Sequence, residues 1–304
     1  MDFSVQQLRM LREVSQRGTI AAAADALGYT PSAISQQLAA LERGTGVAVL
    51  ERVGRGVRLT DAGRELVRHA DELLAGMEAA QAALESVDGE ARGTVEMSVY
   101  ESVASTLLPD LLDRLSSTHP DLTVRTRETD PDAAIDAVAS GEIDVAFSID
   151  YPHAPAAKRP GIERELVVND HFHAVVPDDH PLTASVALSE LANERFIASP
   201  LHLSCGRCVA AACRAAGFEP DVVHQLDDYP TTLRLVAAGQ GIGLVPDLGL
   251  VHVPPGVRIL DLETPVLRVI ELAFRSASAR RPAIQAIRSA VSDVSRAAIG
   301  RVAA

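Results

Sequence analysis

The residues whose types and spacing could do chemistry fall into a few groups. Cys205-Gly206-Arg207-Cys208, with His202 before it and Cys213 after it, opens a predicted helix. A helix start favours a thiolate, so this group suits a thiol-based redox or metal sensor. The competing expectation is that helical cysteines are small apolar fillers. His171 and His173 share one face of a predicted strand, yet no acid or thiol is spaced along the chain to complete a metal site with them. A structural pair is expected there. Gly239-Gln240-Gly241-Ile242-Gly243 carries the glycines of a dinucleotide loop, but it follows a helix and precedes a strand, the reverse of the required order. No nucleophile elbow, phosphate loop or zincin motif is found. The expectation is therefore no catalytic residue, no cofactor and no metal. An enzyme on a solute-binding-like fold is the rival reading, and it lacks a nucleophile–base pair.

The last group is of another kind. Thr30-Pro31 reads as a helix start, and Ser32, Ser35, Gln36 and Gln37 follow on its first turns. Short polar side chains at a helix N-terminus hydrogen-bond base edges, and glutamine suits bidentate contact with adenine. Arg52, Arg55 and Arg58 lie within seven residues a little further on and suit phosphate contacts.

Elements that would position these side chains can be read around them. Val5, Leu8, Leu11 and Val14 recur along one helix face, Gly18 stops that helix, and Thr19 caps the next, Ile20 to Leu27. Ala24, Gly28 and Ile34 supply the small residue, turn glycine and β-branched residue that two closely crossing helices need. Two short strands, Ala48–Glu51 and Val57–Leu59, flank a turn at Gly54-Arg55-Gly56. Thr60 then caps a long helix in which Leu66, Ala70, Leu73, Met77, Ala80, Leu84 and Val87 form a heptad seam. That helix spans about 40 Å and is expected to pair with a copy of itself.

From Thr94 onward strands and helices alternate, which implies parallel or mixed sheets covered by helices. A helix is expected over Val103–Leu115 and separate strands over Leu166–Val168 and Phe172–Val176. The proline-rich loop Asp150–Gly161 reads as a crossover between two subdomains.

Composition sets the outer bounds. The chain has 304 residues, 47% apolar and 23% charged, enough for about two domains with buried cores. No run approaches the roughly 18 uncharged apolar residues of a membrane span. No secretory signal is read at the N-terminus, and three cysteines fit a reducing cytoplasm. The net charge of −13 is unevenly spread: residues 1–64 hold eight arginines and six acids, while the other 240 hold 20 basic and 35 acidic side chains. A locally basic head on an acidic body is the pattern of a nucleic-acid-binding unit attached to something else.

Gly18 to Ala23, Thr30 to Leu38, Leu41-Glu42, Leu50-Glu51-Arg52 and Arg58 to Gly63 together resemble the head of LysR-type transcriptional regulators. The likeness continues at Val176-Pro177, at His180-Pro181-Leu182, and from Leu235 to Pro246. The resemblance implies an α/β fold with an N-terminal winged helix-turn-helix at 1–60 and a linker and dimerisation helix at 61–91. A two-lobed periplasmic-binding-protein-like effector domain at 92–304 follows, with one lobe about 92–161 and 268–304 and the other about 162–267. It implies DNA binding by Thr19, Thr30, Pro31, Ser32, Ser35, Gln36, Gln37, Arg52, Arg55 and Arg58, although many members carry arginine where Gln36 stands. Implied partners are double-stranded DNA with an inverted repeat, a small-molecule effector, one or three further copies of the chain, and RNA polymerase. No membrane is implied.

An effector pocket is expected between the lobes, at strand ends facing helix N-termini. By resemblance its walls are Tyr100, Glu101, Ser102, Thr129, Asp130, Pro131, Ile149, the run from Ser199 to Ser204, and Asp227, Asp228 and Tyr229. Backbone N–H groups there favour a carboxylate. Glu101 and the Asp227-Asp228 pair favour an amine or a zwitterion. The lobes are expected to move about crossovers near Ile149 and Pro265–Arg268.

Overall fold

The computed structural model describes residues 3–54, 56–152, 155 and 158–302, with side chains as far as 296. The chain forms two compact units, Met1–Gly89 and Glu90–Ala304.

The first unit opens with α1 (Val5–Arg17). The Ser4 hydroxyl accepts the Gln7 N–H, while the Gln7 side chain accepts the Ser4 N–H, so two otherwise orphaned donors are satisfied. Leu8, Leu11 and Val14 are buried as the periodicity predicts, and Met10 joins them; Val5, in the first turn, stays exposed. Next come α2 (Ile20–Leu27) and α3 (Pro31–Thr45), joined through Gly28 in the left-handed conformation at φ 69°. Ala24 and Ile34 are fully buried where the two helices cross. A hairpin of β1 (Leu50–Val53) and β2 (Gly56–Leu59) follows.

β1 starts two residues later than the sequence suggests, because the backbone of Val49 is engaged elsewhere. Its N–H donates to Glu42 Oε1 at 2.9 Å and its carbonyl accepts the Thr60 N–H at 3.1 Å. That carbonyl also explains Gly63, in the first turn of α4 (Asp61–Asp88). A Cβ on Gly63 would sit 2.1 Å from the Val49 oxygen, so only glycine lets the helix rest there.

The predicted seam of α4 divides in two. Leu66 packs against the core of its own unit and Ala70 is fully buried. By contrast Leu73, Met77, Leu84 and Val87 are 53%, 50%, 75% and 86% exposed, and Ala80 is exposed with them.

The second unit runs β3 (Gly93–Val99), α5 (Glu101–Thr106), α6 (Leu108–Thr118), β4 (Leu122–Glu128), α7 (Pro131–Ser140), β5 (Val145–Asp150) and β6 (Ile162–Pro177). It continues through β7 (Arg195–Ala198), α8 (Ser204–Ala215), β8 (Asp221–Gln225), α9 (Tyr229–Ala237), β9 (Ile242–Pro246), β10 (Val257–Leu260), β11 (Leu267–Arg275) and α10 (Pro282–Val302). The single helix expected over Val103–Leu115 is two, since Pro109 lacks the N–H that would carry one helix through.

The strand order is β4-β3-β5-β11-β6-β9-β7-β8, with β10 also on β6. β3 pairs in parallel with β4 and β5, and β7 in parallel with β8 and β9. β11 and β6 are antiparallel to their neighbours and tie the two halves together. The two strands expected within 166–176 are one strand of 16 residues. Residues 162–171 of β6 pair with β11, and 172–177 with β9 and β10, so the chain changes lobes inside a hydrogen-bonded strand. α10 lies over α6, β3 and β6. No helix of the described residues is long and apolar enough to cross a membrane.

His171 and His173 share a β6 face, as expected, but they meet acids that chain spacing could not reveal. His173 lies between Asp247, 2.7 Å from its Nε2, and Asp261, 2.9 Å from its Nδ1. His171 approaches Asp247 at 3.7 Å. The hydrogen bond to Asp247 raises the His173 pKa above 6.5. Burial alone would raise Asp247, but the bonds from His173 and the His171 N–H outweigh it and hold its carboxyl below 3.8. A raised folded pKa for His173 gives stability that is complete below about pH 6.5 and is lost as pH rises through the folded value. Asp247 contributes above its ordinary value, and that part is lost as pH falls through the lowered one. The stability gap between wild type and His173→Gln should therefore be widest near pH 5–6 and close as the solution becomes alkaline. Thermal melts at a series of pH values measure this; a gap that widens above pH 7 would contradict it.

Candidate functional site

On the first unit, the side chains expected to touch DNA sort by what already holds them. Thr19 and Thr30 are caps: their hydroxyls accept the N–H groups of Ala22 at 3.1 Å and Ala33 at 3.2 Å. Ser32 shares a hydrogen bond with Thr30 at 3.0 Å, Ser35 donates to the Pro31 carbonyl at 2.9 Å, and Gln37 accepts from Gln7 at 3.2 Å. Gln36 is exposed and has no hydrogen-bond partner among the described residues. Pro31, Ser32, Ser35, Gln36 and Gln37 are all exposed on the first turns of α3. On the hairpin, Arg58 lies opposite Glu51 and donates to it at 2.8 Å, so its charge is matched. Arg52 is exposed and makes no ion pair among the described residues. Arg55 lies outside the described residues.

In the second unit, Tyr100, Glu101, Ser102, Thr129, Asp130, Pro131, Ile149 and Ser204 line one cavity of about 250 Å³. They come from the ends of β3, β4 and β5 and from the start of α8, so the cleft has walls in both lobes. Of the expected residues, Ser199 and Asp228 stand back from it. The Ser199 hydroxyl donates to Asp227 at 2.6 Å, and it is Asp227 that reaches the cavity. Asp228 caps α9, accepting the Thr231 N–H at 2.6 Å. An ion pair between Arg207 on α8 and Asp132 on α7, at 3.0 Å, spans the lobes.

The feature that sequence reading missed is at the floor. Arg268, expected only as a crossover residue, is 2% exposed and lines the cavity. Its Nε donates to Asp170 at 2.8 Å, and one terminal nitrogen lies 2.7 Å from the same carboxylate oxygen and donates to Ser102 at 2.8 Å. The other terminal nitrogen reaches Tyr229 Oη at 3.4 Å. The guanidinium sits 5.7 Å from the ring centroids of both Tyr100 and Tyr229. Asp170 is itself buried, accepts the Leu248 N–H, and has its pKa raised by burial against the pull of Arg268. The signal was present in strand parity: Arg268 occupies the same inward face of β11 as Ile270, Leu272 and Phe274. Tyr151, Glu128 and Cys205 are further walls that were not expected there.

The cavity walls also bury polar groups. The hydroxyls of Tyr100, Tyr151 and Thr129 are buried without a hydrogen-bond partner that meets normal geometry among the described residues. Burial raises the pKa of Tyr100, Tyr151 and Tyr229, which keeps all three neutral. Glu101 is raised too, first by burial and then by Asp228, Glu128 and Asp227 nearby. Of the cysteines, Cys205 is half-buried in the cleft wall with Sγ 3.4 Å from Tyr229 Oη. Cys208 and Cys213 are buried, and burial pushes both thiols up to about 12. No group of three or more His, Cys, Asp or Glu among the described residues could hold a metal ion.

Comparison with known proteins places both units. Residues 5–64 match the family model of the bacterial regulatory helix-turn-helix protein, lysR family, and residues 88–296 match the LysR substrate binding domain. The chain is 30% identical to the HTH-type transcriptional regulator ClcR of Pseudomonas putida, over 80% of this chain and 82% of ClcR. It is 29% identical to the transcriptional dual regulator GltC of Bacillus subtilis, over 87% of this chain and 88% of GltC. Its structure resembles that of CbnR, a LysR family transcriptional regulator, with TM-score 0.56, 25% identity and coverage of 95% of this chain and 100% of CbnR. A full-length OxyR variant from Pseudomonas aeruginosa shares the fold, with TM-score 0.70, 20% identity and 97% of each chain covered. With a capped helix-turn-helix and hairpin in one unit and a two-lobed α/β cleft in the other, both matched by that family's own models, this chain belongs to the LysR-type transcriptional regulators, DNA-binding proteins with an effector-binding domain.

Proposed function

We propose that a small-molecule effector binds the Arg268 cleft and that its occupancy changes how the head engages an inverted-repeat operator. The observation that carries this is a cavity of about 250 Å³ walled by both lobes, whose lining residues Tyr100, Tyr151 and Thr129 hold buried hydroxyls with no hydrogen-bond partner among the described residues. Buried polar groups left unpaired are costly, and a ligand that pairs them binds well for that reason. In this reading residues 1–60 are the head, 61–91 the helix that joins two copies, and 92–304 the effector domain. The regulator works in the cytoplasm as a dimer or tetramer beside RNA polymerase.

Within the head, Arg52 serves phosphate and Gln36 serves a base edge. Arg52→Ala should weaken binding to all sequences and reduce the salt slope by about 1. Gln36→Ala should cost about 1–3 kcal/mol at one base pair and leave the slope alone. Arg58→Ala should do less than Arg52→Ala, because Glu51 already neutralises it. Salt titrations against operator and scrambled DNA read all three; equal slopes for Arg52→Ala and Gln36→Ala would reject the division.

Thr129→Val tests the cleft. It removes a hydroxyl that nothing bonds, so the unliganded protein should melt no lower than wild type. Effectors found by thermal shift across a metabolite library should bind it more weakly and shift operator footprints less. A second reading rests on Cys205, half-buried in the same wall: the thiol would answer an oxidant instead. A footprint change on adding peroxide that survives Thr129→Val and vanishes in Cys205→Ser would select it.

A further inference from the structure

We propose that the effector is a small zwitterion, with its ammonium group toward Glu101 and Asp227 and its carboxylate toward the start of α8. This rests on reading the cleft as the effector site. The argument begins with what the cavity lacks. Its carboxylate and cationic walls are Glu101, Glu128, Asp130, Asp227 and Arg268, with no lysine or histidine among the described lining residues. The Arg268 charge is matched by Asp170, and every guanidinium nitrogen has a partner. Asp130 is held as the cap of α7, accepting two backbone N–H groups. What remains for a ligand to meet is an acidic side.

A plain carboxylate entering that space finds repulsion and no free cation. An ammonium group relieves the crowding at Glu101, whose ionisation burial and neighbouring acids already disfavour.

The opposite wall calls for the other charge. α8 is twelve residues long, and its N-cap, Leu203, offers no side-chain hydrogen bond to the helix start. Leu203, Ser204 and Cys205 line the cavity, so the uncapped N–H groups of that turn are beside it. Tyr151, 3% exposed, lies beside Ser204 and Cys205 with its hydroxyl buried against them. A carboxylate there accepts from the helix start and lies within the reach of the Tyr151 hydroxyl, satisfying N–H donors that no side chain caps among the described residues. A volume of about 250 Å³ restricts the ligand to a small molecule, of which free amino acids are the simplest class.

The experiment uses the full-length chain with the standard amino acids added singly. The corresponding 2-oxo acids and the corresponding decarboxylated amines are run in parallel, and binding is read by thermal shift and calorimetry. At least one amino acid should raise the Tm by about 5 °C or more at a concentration about 100-fold above its Kd. Its 2-oxo acid and its amine should each bind about 10-fold or more weakly. Glu101→Gln should melt no lower than wild type when unliganded, because it removes a disfavoured charge, and should bind the amino acid about 10-fold or more weakly. A 2-oxo acid that binds as tightly as the amino acid overturns the ammonium contact, and an amine that does so overturns the carboxylate contact. Silence of all three panels overturns the zwitterion; operator footprints that still respond to another metabolite would then leave the regulatory reading standing.

Discussion

Replacing Arg268 with alanine is expected to destabilise the effector-binding unit by about 3–5 kcal/mol, because it leaves the Asp170 carboxylate buried without its cation. For a unit of roughly 200 residues that is a fall of about 10 °C in Tm. The loss has a diagnostic pH dependence. Burial already raises the Asp170 pKa, and without Arg268 it rises further. A group with a raised folded pKa destabilises as pH climbs through that value, so the deficit of Arg268→Ala should shrink in acid and grow toward neutrality. Removing both charges with Arg268→Met and Asp170→Asn should recover most of the lost stability, since a buried ion pair exceeds an apolar replacement by little. Effector binding should not return with it, because Tyr229 and Ser102 would no longer be held by the guanidinium. A single Arg268→Ala variant that melts within about 2 °C of wild type would show that the pair is not the keystone of the cleft.

The second large effect is expected on α4. Met77→Asp together with Leu84→Asp places charges on a stripe whose four large apolar side chains are half or more exposed in a single chain. If that stripe joins two copies, light scattering should report monomers. Operator affinity should then fall by about 10²–10⁴-fold, as the second head no longer binds as part of the same molecule. Isolated heads should still bind half-sites weakly and with the same salt slope per head. A charged double variant that remains dimeric and keeps full operator affinity would place the contact elsewhere. Leu66 and Ala70 are poor sites for this test, because they face their own unit.

The head was legible because its signals are local. Thr19, Thr30 and Thr60 cap helices in the sequence and in the structure alike, since an N-cap needs only its own next turn. The α4 seam was half legible: heptad spacing identifies an apolar stripe but not which of its turns a neighbouring helix covers. The wall residues Tyr100 to Ser102 and Thr129 to Pro131 follow strand ends, where a parallel sheet presents its ligands, and the family resemblance singles them out there. Arg268 and Asp170 were not, because 98 positions separate them and neither carries a neighbouring motif. The same distance hid Asp247 and Asp261 from His173, 74 and 88 positions away. Asn169-Asp170-His171 interrupts the apolar run of β6, which therefore reads as two strands; of these, Asp170 serves the cleft and His171 the histidine cluster.

The position of β11 between β5 and β6, with α10 lying over α6 and β3, decides the order in which the protein can be completed during synthesis. The first lobe is begun early and finished last. When β3, β4 and β5 have left the ribosome, β5 still presents an open edge, and the strand that closes it is more than a hundred residues away. At about 5–20 residues per second that edge waits on the order of 10 s. The strands of the other lobe, β7 to β10, all emerge in the meantime. A nascent chain of this regulator therefore carries an exposed strand edge through the whole synthesis of its second lobe, the kind of surface that chaperones cover and that pairs wrongly with other chains. A premature stop near residue 265 would for the same reason injure the oldest part of the effector domain and spare the newest.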